Sequence, residues 1–502
     1  MVRSIKNAFA PVNRIPPEIL SLIPDYCEAN DELIKLTHVC HHWRTTFISR
    51  ASLWTSLDCM NLDQTSTYIQ RSGVAPLKIF LTAHRGTYYR DDALLLTLPL
   101  FDRLEALVFA GFSDDILKLI GQPSPPAPLL ERLDIEISDA RYVVFNSRLL
   151  DGNLSLCELR LSRVVTSLPW RNLSNLTTFH FRGVPSNTIT VTQLLDFFED
   201  VPLLREIKLN KSLPESSNAP AKRVVYLPHL RILGISAQLA PLILILLNHL
   251  HIPIGALLRL EFRFGRGESP IPDYSSIPFD NLSNISHITS VNLDFSSGIA
   301  MRLKGPSGGL YIFGTWADLA PIPHSLGEQT LQSLGCLPIS TIERLSITQY
   351  RTVSHWKIEG SGAHQTALHL DGPYQTLLLM NNLRTLTLTD CPDVSFTTTL
   401  TPSENASSAV VCPGLKEYVL YIGKEGRPRI EYLLKMAKER ASMGARLSAI
   451  VFNCPPQLFP EKAPALESYV SHVEYNSGDT TPRPRWDTIL GEADEVGYDS
   501  DW

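Results

Sequence analysis

Apolar residues recur along this chain with two different periods, and the change between them divides it. Between residues 12 and 59 the period is helical. Leu33, Leu36, Cys40 and Trp43 fall at i, i+3, i+7 and i+10, and Val39 and Phe47 widen the stripe. Ahead of it, Ile19, Leu20 and Ile23 share one side of a short helix that Pro16 and Pro17 open and Pro24 closes. Proline suits that opening, because the first-turn amides have no intrahelical acceptor. Glu18 sits near the positive end of the same helix. Asn30 reads as the N-cap of a second helix, with Asp31 and Glu32 in its first turn. A break near Val39 makes three short helices in all, and the segment ends at Leu53-Trp54.

Beyond Met60, Gln64–Ser72 reads as a helix and Pro76–Leu81 as an alternating strand. A motif then repeats: apolar, two residues, apolar, one residue, apolar. It begins at Leu104, Leu130, Leu156, Leu176, Leu204, Leu230, Leu257, Ile288, Ile342, Leu383, Leu415 and Leu447. The spacings between the first eight starts are 26, 26, 20, 28, 26, 27 and 31 residues. The next is 54, twice 27, which predicts a degenerate repeat between Ile288 and Ile342 with Gly309–Phe313 as its strand. The last three are 41, 32 and 32.

LxxLxL at a period of roughly 20–29 residues is the signature of leucine-rich repeats. One short strand cannot bury its apolar face alone, whereas a stack of them makes a continuous core. Val191–Glu199, Leu239–His249 and Ile430–Ala441 fit helices between strands, and Cys391 and Cys454 stand where the chain turns off a strand. The fold class is α/β: a small three-helix unit, then a solenoid with parallel strands on its concave face and helices or irregular arcs outside. The expected divisions are a flexible start at 1–11, the helical unit at 12–59, a connecting helix and strand at 60–100, repeats at 101–474, and an acidic tail at 475–502 in which Trp486, Ile489 and Leu490 are the apolar positions.

Composition narrows the function. Of 502 residues, 44% are hydrophobic and 19% charged, a globular balance, and the net charge of −6 offers no general attraction to nucleic acid. Eight scattered cysteines include no CxxC pair, which suits reduced thiols in a cytoplasmic or nuclear protein. Met1–Ala10 lacks the apolar region of a signal peptide, and Leu239–Leu247 is too short to span a bilayer, so no membrane partner is expected. No phosphate loop, dinucleotide fingerprint or nucleophile elbow is present. Catalytic residues, cofactors and metals are therefore not expected. His38 and His42 have a helical ligand spacing, but no Glu-based zincin pattern accompanies them, and histidines on the wet face of a helix explain the cluster.

The segment RIPPEILSLIPDYCEANDELIKLTHVCHHWRTTFISRASLW resembles an F-box. The resemblance rests on Ile15-Pro16 with Glu18-Ile19-Leu20, on Leu33 and Leu36, on Val39-Cys40 with Trp43-Arg44, and on Leu53-Trp54; the family more often opens Leu-Pro. QRSGVAPLKIFL is similar to the segment that follows the F-box in many fungal proteins. The resemblance implies a three-helix unit that binds a Skp-type adaptor and, through it, a cullin–RING ubiquitin ligase. Carried over by position, the adaptor contacts would be Ile15, Pro16, Ile19, Leu20, Val39, Cys40 and Trp43, with Leu33, Leu36 and Trp54 also among the adaptor-binding residues. The repeats would hold a protein target.

On the strands, residues between the apolar ones face the open side. Arg160, His180, Arg182, Lys208, Arg259 and Arg263 line up there as a basic stripe, suited to an acidic or phosphorylated segment. A solvated strand face with salt-paired charges is the simpler alternative. Three functions stay open at this point: a ligase receptor, a binding scaffold whose N-terminal helices only cap the solenoid, and an enzyme with a dispersed site.

Overall fold

The structure is a computed structural model that describes residues 11–26, 30–82, 92, 95–120, 126–145, 150, 153–166, 173–185, 188–214, 223–264, 277–295, 299–316, 330–331, 334–335, 337, 339–348, 371–391, 393–402, 410–422, 429–454 and 463–476. The chain is α/β and divides into two compact units. One comprises Met1–Gln238 with His249–Pro253, the other Leu239–Asn248 with Ile254–Trp502.

The first unit opens with α1 (Pro17–Leu20), α2 (Asn30–Thr37) and α3 (His41–Ile48). The break falls at His38–Cys40, as the pattern predicts. Arg44 explains how the break holds: its Nε donates to the Thr37 carbonyl at 3.0 Å, taking up an acceptor that the end of α2 leaves open. A 3₁₀ turn over Ala51–Trp54 follows, then α4 (Leu62–Ser72). Asn61 caps α4 by accepting from Asp63 N at 2.9 Å and Gln64 N at 3.2 Å.

Eight strands of this unit form one parallel ladder: β1 (Ser56–Leu57), β2 (Leu77–Thr82), β3 (Leu104–Gly111), β4 (Arg132–Ile137), β5 (Glu158–Ser162), β6 (Thr178–Arg182), β7 (Glu206–Asn210) and β8 (Ile232–Gln238). Register explains the apolar spacing. Leu133, Leu159, Phe179, Ile207 and Leu233 are successive partners, and Ile135, Leu161, Phe181, Leu209 and Ile235 form the next row. Both rows are buried. Each strand thus gives alternate side chains to one core and the intervening ones to the open face.

Two devices set the pitch. Before β5, the buried Asn153 amide donates to the Ala127 and Leu130 carbonyls, each at 3.0 Å, and its oxygen accepts from Ser155 N and Leu156 N. At the strand ends, left-handed residues at matching register positions turn the chain away: Arg163 (φ 58°), Gly183 (φ 61°) and Lys211 (φ 49°) just past β5, β6 and β7, and Ala237 (φ 54°) within the last residues of β8. The Arg163, Gly183 and Lys211 amides still bond the neighbouring strand, to Arg182 O, Asn210 O and Ser236 O.

The second unit holds α7 (Ala240–Leu247), α8 (Asp371–Leu378), α9 (Asp393–Leu400) and α10 (Ile430–Ser442), where α5 (Ser113–Ile120) and α6 (Val191–Asp200) belong to the first. The helices expected near 191, 239 and 430 are present within a residue or two of their predicted ends. Nine strands make up its ladder: β9 (Leu257–Phe264), β10 (Ser290–Asp294), β11 (Ile299–Lys304), β12 (Gly309–Trp316), β13 (Arg344–Thr348), β14 (Thr385–Thr389), β15 (Glu417–Tyr421), β16 (Ala449–Asn453) and β17 (His472–Asn476).

Here one expectation is corrected. The stretch from Ile288 to Ile342 is not a regular repeat plus a degenerate one. Gly309–Phe313 lies on a strand as predicted, but β10, β11 and β12 run as an antiparallel meander in reversed spatial order. β12 returns beside β9, and β10 lies beside β13, both parallel. Glycines make the return tight: a Cβ on Gly308 would strike the Ile254 carbonyl, and one on Gly309 the Leu303 carbonyl. The expected fully parallel order therefore holds only in part of this unit. All twelve motif starts nevertheless lead into strands.

The strand His472–Asn476 overlaps the start of the tail expected at 475; Trp486, Ile489 and Leu490 lie outside the described residues. No helix among the described residues is long and apolar enough to cross a membrane.

Candidate interaction surfaces

The first surface is built by α1–α3. Their internal packing is aromatic: Trp43 meets Phe47 edge-on at 5.6 Å, and the Trp54 indole meets Tyr68 of α4 edge-on at 4.9 Å. Among the residues expected to contact an adaptor, Leu20, Leu33, Trp43 and Trp54 are thereby buried in the chain's own core. Ile15, Leu36 and Cys40 are half-buried and Pro16 is exposed. Ile19 and Val39 stand out, at 55% and 53% exposed. Leu22 and Ile48, which the sequence reading did not single out, are exposed as well. Their signal was present as apolar residues off the stripe that α2 and α3 bury. The structure thus separates the expected set into a supporting core and an aliphatic exterior.

The histidine spacing does not survive folding. His38 lies in the break ahead of α3, so it and His42 are not one helical turn apart, and His38 Nδ1 is 3.5 Å from the Arg44 guanidinium. Among the described residues no group of three or more His, Cys, Asp or Glu side chains could hold a metal ion.

The second surface is the open face of the first unit's ladder. Asp134, Arg160, His180 and Lys208 are successive register partners, and Arg132, Glu158, Thr178 and Glu206 form the row beside them. The two rows neutralise each other. Arg132 reaches Asp134 at 3.3 Å and Glu158 at 3.6 Å, and Arg160 lies 3.8 Å from Glu158 and 4.0 Å from Asp134. Glu206 Oε1 takes both His180 Nε2 at 2.9 Å and Lys208 Nζ at 2.8 Å.

The electrostatics follow this geometry. Burial pushes the Glu206 carboxyl up, but the hydrogen bonds and charges of His180 and Lys208 outweigh it and hold the group at about 2. Burial pushes the His180 imidazolium down; the Glu206 bond opposes this, while Lys208 and Arg160 add to it, and the net shift is downward. Arg182 is exposed one row further along.

Arg259 lies in the second unit. Its guanidinium lies over the Tyr311 ring, 5.7 Å from the centroid. The backbone of Arg263 pairs with Thr315, and its side chain lies outside the described residues. The register also brings Tyr311, Arg302 and Asn292 to the Arg259 row. Sequence reading missed these three because β10, β11 and β12 run in an order that no repeat spacing encodes. Their only signal was the two-residue alternation in SVNLD, AMRLK and GLYIF.

Cys59 and Cys412 are buried thiols, each pushed up to about 12 by burial. No protein-family model matches the chain, and no curated protein matches it.

Proposed function

We propose that the chain is the substrate-receptor subunit of a Skp–cullin–F-box type ubiquitin ligase. In this reading α1–α3 dock on a Skp-type adaptor, and through it on a cullin–RING complex, while the strand ladders hold a protein target. The chain itself catalyses nothing. It raises the target's effective concentration beside the transfer machinery. A cytoplasmic or nuclear location goes with this role.

One observation carries the proposal. The helical unit closes an aromatic core of its own, yet Ile19, Leu22, Val39 and Ile48 remain exposed outside it. Covering each large aliphatic side chain is worth roughly 1.5–3 kcal/mol, so a partner that sheathes several gains affinity without disturbing the core. The F-box resemblance names the kind of partner. Co-expression of the full chain with a Skp-type adaptor, followed by size-exclusion chromatography, tests it. Co-elution at a fixed ratio supports the reading, and separate elution sinks it.

A second reading is favoured by a different observation. Trp54 joins the helical unit to α4, and β1 continues directly into the ladder. The helices could then serve only to cap a non-ligase scaffold, which would stay monomeric beside the adaptor.

A further inference from the structure

The open face of the second unit's parallel strands is uneven. Most of its positions on β13–β17 carry hydroxyl, amide or charged side chains. Val419 of β15 and Val451 of β16 interrupt them as direct register partners, both half-buried. Thr387 lies beside Val419, and Tyr421 follows two residues further along β15. At the edge where these strands begin, Arg344, Arg384, Lys416 and Arg446 are exposed at or just ahead of the first residues of β13, β14, β15 and β16. Backbone bonds from Arg384 N to Glu343 O and from Lys416 N to Arg384 O keep this edge in register. Glu343, 3.9 Å from Arg384, and Glu417, which accepts from the Thr385 hydroxyl at 3.1 Å, offset the cations in part.

The chain itself supplies a segment of matching character. After β17 the sequence runs SGDTTPRPRWDTILGEADEVGYDSDW over 477–502, which lie outside the described residues. Trp486, Ile489 and Leu490 come first, and Glu492, Asp494 and Glu495 follow. From Asp487 onward there are six acidic residues and no Lys or Arg. This order fits the face. β17 ends at Asn476, a register partner of Asn453, which in turn partners Tyr421. A chain that turns back from there meets Tyr421 first, then the two valines, then the cationic edge. Lys416 lies three residues before Val419, and Glu492 three after Ile489, so both steps measure about 10 Å in extended chain. The twelve residues between Asn476 and Ile489 reach roughly 40 Å, against two strand spacings of about 10 Å in all.

We infer that residues 486–495 of this chain lie back across the open face of β15 and β16, with Ile489 and Leu490 on Val419 and Val451, and with Glu492, Asp494 and Glu495 against Lys416, Arg384 and Arg446. The aliphatic contacts hold the segment, and the charges set its direction. A tethered segment works at an effective concentration on the order of millimolar, so an affinity of about 0.1 mM keeps the face about 90% covered. Any target that uses this part of the ladder has to displace the segment. The inference goes beyond the ligase reading and needs neither adaptor nor target.

Lysine acetylation of the purified full chain at low salt, read by mass spectrometry, tests it. Lys416 is the probe, and Lys435 and Lys438, exposed on α10, are the references. One variant combines Ile489→Asp with Leu490→Asp, and the other combines Glu492→Arg, Asp494→Arg and Glu495→Arg. In the parent, Lys416 reacts about tenfold more slowly, relative to the references, than in either variant. A fluorescein-labelled peptide of residues 484–502 then binds the aspartate variant at least about tenfold more tightly than the parent, whose own segment competes. Arg384→Glu with Lys416→Glu, added to the aspartate variant, abolishes that binding. Circular dichroism confirms that each variant is folded. Equal Lys416 rates in the three proteins, release in only one variant, or a peptide that binds the parent and the aspartate variant alike or binds neither overturns the inference. No adaptor enters these readouts, so their failure leaves the ligase assignment standing, and failure of adaptor co-elution leaves this inference standing.

Discussion

The Trp54 indole Nε1 donates to the carbonyl of Phe47 at 2.8 Å, with both residues buried. This bond ties the 3₁₀ turn to the end of α3. It also sets the indole edge-on to Tyr68, with the Arg71 guanidinium 4.2 Å from the ring centroid on one face. Trp54 therefore belongs to the support of the helical unit. Trp54→Phe keeps most of the apolar contact and removes one hydrogen bond from the Phe47 carbonyl, which still accepts from the Arg50 amide at 3.3 Å, at a cost of about 0.5–1.5 kcal/mol. Trp54→Ala also opens a cavity and costs about 3–5 kcal/mol. Urea denaturation of both variants measures the difference; equal losses would show that the hydrogen bond contributes nothing.

His180 and Glu206 give the first unit a pH dependence of definite sign. The His180 pKa is lowered from 6.5 on folding, so the unfolded chain binds the proton more readily. That contribution is present above pH 6.5 and fades as pH falls below it. Glu206 drops from 4.5 to about 2, so its contribution is lost between those values. Stability therefore falls on acidification, first through His180 and then through Glu206. His180→Gln, which stays neutral and can still donate to Glu206, loses less stability between pH 7 and pH 5 than the parent. Denaturant midpoints at the two pH values give the comparison, and parallel shifts would remove His180 as the cause.

Much of the architecture was legible because it repeats. A strand whose alternate residues must be buried writes its period into the sequence, and twelve motif starts lead to twelve strands. The break between α2 and α3 was legible too, since the apolar stripe shifts at Val39. The meander was not. β10, β11 and β12 are each ordinary alternating segments, and their spatial order depends on Gly308 and Gly309 permitting a close return. Spacing alone reads any such insertion as a missing repeat. The charges on the open face were legible as residues, and their i, i+2 spacing held the pairing as well: Arg160 and Lys208 look like a basic stripe until each is matched with the carboxylate two residues before it on its own strand, Glu158 and Glu206. Of the expected adaptor contacts, sequence could not separate Ile19 from Leu20, because adjacent residues of one helical turn differ only in which side the rest of the unit covers.

The turn after β7 offers a test of the repeat geometry itself. Lys211 adopts φ 49° with an exposed side chain, in register with Gly183 at φ 61°. A left-handed conformation costs an L-residue about 1–2 kcal/mol, partly offset by the extra freedom glycine has when unfolded. Lys211→Gly therefore gains about 0.5–1 kcal/mol, and Gly183→Ala loses about 1 kcal/mol or more, because its new Cβ also meets Arg163 Cγ at 3.3 Å. Thermal melts of the two variants should move in opposite directions.

The aliphatic exterior of α1–α3 is the feature on which the functional reading turns. Ile19 and Val39 are exposed, so replacing either with aspartate should change folding stability by no more than about 0.5 kcal/mol. Isothermal titration of a purified Skp-type adaptor into the full chain tests the central claim most directly. The account predicts one adaptor bound per chain, with affinity reduced at least about a hundredfold in Ile19→Asp and in Val39→Asp at unchanged melting temperature. Absence of binding to the parent chain, or affinity that both substitutions leave intact, would contradict it.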